Sequence, residues 1–238
     1  MFFLTVILVI PAQPGVAATS IVGVTGLVDI PTARVISDGK VAFGVGYTDR
    51  EYSLRSPKYA QVAYYVTVGY LPFLEGSLRI TNFPGNMQSD TYGSEKDRMA
   101  SIKMLLVNEG RYLPSILLGV HDILGVYNSE NPEGNVNFNT AYVVMSKSLR
   151  FALIGSLDVH MGYASDVMMK KASHHSMLGL FAGLEKRLCK YLMVMGEYDT
   201  QKYNVGLRIT PLGEHANVDL VILGLKHISG GMSISFGL

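Results

Sequence analysis

At 238 residues, with 48% hydrophobic and 16% charged residues and 25 glycines, the chain is too apolar for intrinsic disorder and too rich in glycine for an ordinary helical protein. Its 20 basic and 19 acidic residues leave a net charge of +1 with no basic block, so the electrostatic footprint of a nucleic-acid binder is missing. The single cysteine, Cys189, excludes an internal disulfide, a CxxC redox pair and a zinc knuckle, and it reads as structural.

Met1 to Ile10 is nearly all apolar, and Gly15-Val16-Ala17 then places small residues where signal peptidase cuts. Residues 1–17 therefore read as an export signal, with cleavage near Ala17 or Ala18, although no Lys or Arg precedes the apolar stretch. The run is only about half of the roughly 20 residues that a spanning helix needs. Beyond residue 20 a charged residue or His interrupts every apolar window of that size, so no transmembrane helix is indicated. Residues 18–38 come next as a structured lead-in: Pro31 cannot donate to a sheet ladder, and Asp38-Gly39 signals a turn. Two readings stay open for it, a plug folded into a barrel lumen or a periplasmic tail that merely starts the first strand.

From 39 to 238 the recurring unit is a segment of about ten residues alternating between apolar and small or polar positions, the period of a two-faced strand. Strands are predicted near 39–48, 58–70, 74–82, 97–107, 114–122, 137–147, 149–163, 176–186, 191–200, 202–210, 216–225 and 230–238. These twelve make an all-β, antiparallel up-and-down transmembrane β-barrel, since even strand counts suit a chain that enters and leaves on one side of a membrane. The connections support it. Long ones at 49–57, 83–96, 123–136 and 164–175 alternate with short ones at 71–73, 107–113, Ser148 and 188–190, as extracellular loops alternate with periplasmic turns. A lipocalin-like soluble barrel shares the period but not the loop asymmetry.

The faces separate cleanly in 202–210, where Tyr203, Val205, Leu207 and Ile209 alternate with Asn204, Gly206, Arg208 and Thr210. In 150–163 the apolar set is Phe151, Leu153, Leu157, Val159, Met161 and Tyr163, opposite Ser156, Asp158, His160 and Gly162. Met232, Ile234, Phe236 and Leu238 repeat the pattern at the C-terminus. On the membrane reading the apolar rows face lipid. Tyr47, Tyr64, Tyr70, Tyr142, Tyr163, Tyr191 and Tyr198 then supply interfacial belts in a chain without Trp. The lumen candidates are Arg79, Lys103, His121, Asp158, His160, Glu185, Glu197, Asp199 and Arg208. In so narrow a barrel, charges of both signs are expected to pair across the bore and largely fill it.

The stretch Gly23-Val24-Thr25-Gly26-Leu27-Val28-Asp29-Ile30-Pro31-Thr32-Ala33-Arg34, followed by Asp38-Gly39 and Lys40-Val41-Ala42-Phe43-Gly44, resembles the start of the YjbH-type outer-membrane proteins. The resemblance is specific over about 25 residues, where Gly-Leu-x-x-x-Pro-Thr-Ala-Arg precedes the first strand. It implies a bacterial outer-membrane location and a link to exopolysaccharide and capsule production. The implied partners are outer-membrane lipid and lipopolysaccharide, polysaccharide, and secretion components. Family members are longer, so what they do through extra length is not implied for a single short barrel.

No catalytic, cofactor or metal residue is assigned, and the chain is read as a non-enzyme. Ser156, Asp158 and His160 share a strand face, but residues two apart are separated by about 6.6–7 Å, beyond the reach of a nucleophile and its base. His174-His175 beside Lys170-Lys171 reads as a solvated loop, because a metal needs three or four convergent ligands. Gly44-Val45-Gly46 and Gly23-Val24-Thr25-Gly26 lack nucleotide-fingerprint spacing. Assistance to exopolysaccharide export or surface assembly is the expected role. The alternatives are a porin-like passive channel or structural barrel and, last, a lipid hydrolase.

Overall fold

The computed structural model describes residues 17–54, 59–84, 96–123, 139–152, 155–167 and 177–238. Twelve strands close into one antiparallel barrel in which each strand pairs with its neighbours in sequence and β1 closes on β12. They are β1 Lys40–Thr48, β2 Gln61–Gly69, β3 Leu74–Asn82, β4 Lys96–Val107, β5 Ser115–His121 and β6 Thr140–Phe151, then β7 Gly155–Ser165, β8 Gly179–Cys189, β9 Leu192–Tyr198, β10 Tyr203–Ile209, β11 Ala216–Leu223 and β12 His227–Gly237. No helix among the described residues is long and apolar enough to cross a membrane, which says nothing against crossing by strands.

Strict alternation builds the wall. In β10, Tyr203, Val205, Leu207 and Ile209 are exposed, while Asn204, Gly206 and Arg208 point into the bore. Phe43, Leu78, Leu118, Met161, Leu184, Leu220 and Ile234 continue the exposed apolar surface on other strands. A continuous apolar exterior of this kind is what hydrocarbon solvates and water does not. Closure matters equally, because β1 pairs with β12 from Lys40–Gly237 to Tyr47–Gly230 and leaves no open sheet edge.

Connections alternate in length as far as β9. One end carries the turns at 70–73, 108–114, 152–154, 190–191 and 210–215; the other carries 49–60, 83–95, 122–139 and 166–178, together with the short links 199–202 and 224–226. The turn expected at Ser148 lies further on. Ser146, Ser148 and Arg150 continue the inward row of β6 and Phe151 its outward row, and the chain reverses before Gly155, whose φ of 75° suits glycine. Phe151 thus belongs to β6, and Leu153 lies outside the described residues.

Tyr142 corrects the belt assignment. It is 3% exposed and faces the bore, with its ring 4.8 Å from that of His121 and edge-on to Phe181. Val144 and Leu117 share its side, as do Met99, Met193, Met195 and Val221. The bore is therefore not lined by polar groups alone. It holds a hydrophobic core, and residues 18–38 complete it.

Those residues fill the lumen as two tight reversals, closed by a bridge between Thr19 and Thr25 and another between Gly26 and Pro31. Leu27 and Ile30 are fully buried among the inward apolar side chains. The segment leaves at the short-turn end, where the Asp38 carboxylate accepts the Leu71 N–H at 2.8 Å and Gly39, with a φ of 70°, turns the chain into β1. Any Cβ at Gly69 would collide with the carbonyl oxygen of Ser37, so the wall is glycine where the plug passes out.

Candidate functional site: the plugged lumen

An irregular segment enclosed in a barrel carries backbone N–H and C=O groups that have neither water nor a full sheet ladder to bond. Charged side chains of the wall supply the partners. Glu197 on β9 accepts N–H bonds from Val28 (2.9 Å), Asp29 (2.8 Å) and Ile30 (3.3 Å), so one carboxylate satisfies three successive amides of the second reversal. Glu75 on β3 accepts from the Thr25 amide (2.9 Å), the Thr25 hydroxyl (2.7 Å) and the Ile36 amide (2.8 Å).

Cations serve the carbonyls. Lys103 on β4 donates to the carbonyls of Thr25 (2.6 Å) and Arg34 (2.7 Å) and to the Thr25 hydroxyl. Arg208 on β10 donates to the carbonyls of Gly26 (3.1 Å), Leu27 (2.9 Å) and Thr19 (3.2 Å) while holding Asp219 in a two-pronged contact at 2.7 and 2.9 Å. Hydroxyls do the rest. Thr67 and Ser77 both donate to the Gly23 carbonyl, and Ser146 accepts from the Ala33 amide.

The plug also supplies charges of its own, Arg34 and Asp29 among them. Asp158 and Glu185 sit directly opposite each other on β7 and β8, a like-charged pair that is destabilising if left alone. Arg34 lies between them, donating to Asp158 at 2.5 Å and to Glu185. Burial works against its charge, but Glu185 and then Asp158 more than offset this and hold the guanidinium above its ordinary pKa. At the long-loop end Lys202 contacts Asp199 at 2.6 Å and Asp29 at 3.6 Å. Burial pushes the Asp29 carboxyl up despite Lys202, whereas Lys202, lowered by burial, is raised overall by Asp29 and Asp199.

The eight inward candidates and Asp199 all lie on the lumen side, but they do not form pairs across the bore as expected. Arg208–Asp219 and Lys103–Glu75 join neighbouring strands. Otherwise Glu197, Lys103 and Arg208 grip the plug backbone, and Asp158 and Glu185 grip Arg34. The intervening plug keeps these candidates apart across the bore. Arg79 lies 3.8 Å from Asp97, and His121 shares a 3.1 Å hydrogen bond with Ser101. Glu75 and Asp219 escaped the sequence reading, although Glu75 has the same parity as Arg79 and Asp219 stands opposite Arg208.

Two arrangements invite a chemical reading. Ser146 and His160 are hydrogen-bonded at 2.7 Å, and the His160 Nε2 lies 3.7 Å from Glu185. This Ser–His–acid row has no access: all three are at most 4% exposed, Ser146 accepts the Ala33 amide and Glu185 is occupied by Arg34. The carboxylates of Asp29, Glu197 and Asp199 converge closely enough to hold a metal ion. Their oxygens already accept from three plug amides, Asn204, the Gln201 and Lys202 amides and the Lys202 ammonium, so protein donors engage the lone pairs that a metal would use. His174, His175, Lys170 and Lys171 lie outside the described residues, and Cys189 is exposed at the short-turn rim.

Cavities remain at both ends of the plug. At the long-loop end one of about 60 Å³ is lined by Tyr52, Gln61, Arg79, His121 and Lys202. At the short-turn end a larger one, about 400 Å³, lies between the departing plug and the wall, against Arg34, Ser37, Asp38, Leu105, Asn108 and Glu109.

Fold and lumen together define a closed twelve-stranded barrel with an apolar exterior and a built-in N-terminal plug. The chain belongs to the YjbH family, whose profile, described as "Exopolysaccharide biosynthesis protein YbjH", matches residues 18–208. That span takes in the plug and the wall through Arg208. No curated protein sequence matches the chain. The family ties it to exopolysaccharide biosynthesis, and Gly23 to Arg34, the main stretch of the resemblance, lies within the plug.

Proposed function

We propose that this protein is a non-enzymatic outer-membrane barrel that assists the export or surface assembly of an exopolysaccharide, with its short turns toward the periplasm and its long loops toward the medium. The observation that carries the reading is the pairing of a continuous apolar exterior with a lumen occupied by residues 18–38. The exterior suits hydrocarbon, and the family supplies the polysaccharide. A filled bore speaks against a passive solute channel, because among the described residues Leu27 and Ile30 are fully buried within it. Both rims are then the working surfaces, and lipid and lipopolysaccharide meet the outer wall.

Deletion of the coding sequence, followed by complementation, tests the role directly. Surface polysaccharide should fall on deletion and return with the intact gene, and the protein should sediment with outer membranes. Unchanged polysaccharide, or protein recovered in the soluble fraction without detergent, would overturn the reading. Steady ion conductance of the purified protein in planar bilayers would favour a channel instead.

A further inference from the structure

We infer that the cavity of about 400 Å³ at the short-turn end is a binding subsite for a short stretch of uncharged saccharide, with the departing plug as one of its walls. The inference rests on the exopolysaccharide reading for its ligand class, and on the cavity itself for its place and selectivity.

The size falls within the range of small-molecule sites, roughly 300–1,000 Å³. Its walls differ in character. Val35, Pro72 and Leu105 present apolar surface suited to the C–H faces of a sugar ring, while Ser37, Asp38 and Asn108 present acceptors and donors suited to ring hydroxyls. Such sites take their shape from apolar contact and their specificity from a few placed polar groups.

Charge selects against acidic ligands, because both basic side chains lining the cavity are already held by carboxylate. Arg34 is clasped by Asp158 and Glu185, and Lys40 by Glu214 at 2.8 Å. The carboxylates are engaged as well: Glu109 meets Lys147 at 3.2 Å and accepts the Ser148 amide at 3.0 Å, while Asp38 accepts the Leu71 amide. Remaining lone pairs on these oxygens can take hydroxyl protons, while the side chains of Arg34 and Lys40 are both engaged. Ligand in this cavity would touch residues 33–38 of the plug, next to the Arg34 clasp.

The test uses the full chain purified in detergent, titrated with an uncharged linear hexose tetrasaccharide, an acidic oligogalacturonate and an amine-bearing chitosan oligomer, and followed by NMR. The uncharged tetrasaccharide should bind, shifting methyl signals of Val35 and Leu105 but not those of Leu180 and Leu220 on the outer wall. Asn108→Trp, at an exposed rim position, should weaken binding at least about tenfold by filling the cavity. The methyl shifts of the unmodified protein decide between the outcomes even if that variant does not fold. No binding of the uncharged probe, preference for either charged probe, or shifts confined to the outer wall would each overturn the inference. If deletion lowers surface polysaccharide but the protein binds no tetrasaccharide, the role stands and this site falls; if it binds and deletion changes nothing, the site stands and the role falls.

Discussion

The outer wall and the lumen are built on the same strands, one residue out of step, yet they obey different rules. Outward positions face a solvent-like partner that asks only for apolarity, so Leu, Ile, Val, Phe and Met interchange along the rows. Inward positions face one particular partner, the plug, and each is specified by an individual amide, carbonyl or charge. Leu207 and Arg208 make the contrast in a single step of β10: one is exposed among aliphatic neighbours, and the other bonds three plug carbonyls and Asp219. Neighbouring residues can thus be nearly free or nearly fixed.

Breaking that contrast should have its largest effect at Arg208. Arg208→Met leaves Asp219 buried without its cation and should cost about 3–5 kcal/mol, whereas Leu207→Ile should stay within about 0.5 kcal/mol. Urea unfolding of the two variants in lipid vesicles, read by heat-modifiable mobility, measures the difference; equal losses would erase the distinction. Glu197→Gln keeps one acceptor oxygen but turns an NH2 group toward donor amides, and should cost about 1–3 kcal/mol by the same assay.

A steric version comes next. Any Cβ at Gly46 would strike the carbonyl oxygen of Ile21, so Gly46→Val should displace the first reversal of the plug. The expected cost is about 1–3 kcal/mol, with faster proteolysis within residues 18–38, while Val45→Ile on the outward face should leave that proteolysis unchanged. The smallest effect belongs to the exposed rim. The hydrogen bond and charge of Lys40 hold Glu214 below its ordinary carboxyl pKa of 4.5. Its stabilisation is therefore present above about pH 4.5 and is lost as pH falls through the lowered folded value. Lys40→Met should flatten the stability profile below pH 4.5 by only about 0.2–1 kcal/mol, because the pair is exposed.

The same contrast governs how much of the molecule is legible in its sequence. Period-two alternation in residues such as 203–209 and 232–236 reveals strand number, sidedness and the apolar exterior, because one requirement, apolarity, holds at every outward position. Loop lengths add the distinction between the two ends. The turn after β6 is misplaced by pattern alone because Ser148 looks like a break, while Arg150 and Phe151 keep the alternation going. Tyr142 is misplaced because parity sorts side chains into two faces without saying which face holds an aromatic ring. Parity does find the inward charges, but their partners lie far off in sequence, as Val28 does from Glu197 and Thr19 from Arg208. No local pattern reveals that these charges bind a backbone threaded through the bore. Pro31 and the Asp38-Gly39 turn mark that segment as structured without deciding between plug and tail.

The N-terminal position of the plug has a consequence for assembly. Its amides and carbonyls are made first but find Glu197 and Arg208 only when β9 and β10 arrive. Contacts over such separations are slow to form, because a long loop must close before they reward it. Until those strands arrive, the plug lacks the carboxylate and the guanidinium that bond its backbone in the finished barrel.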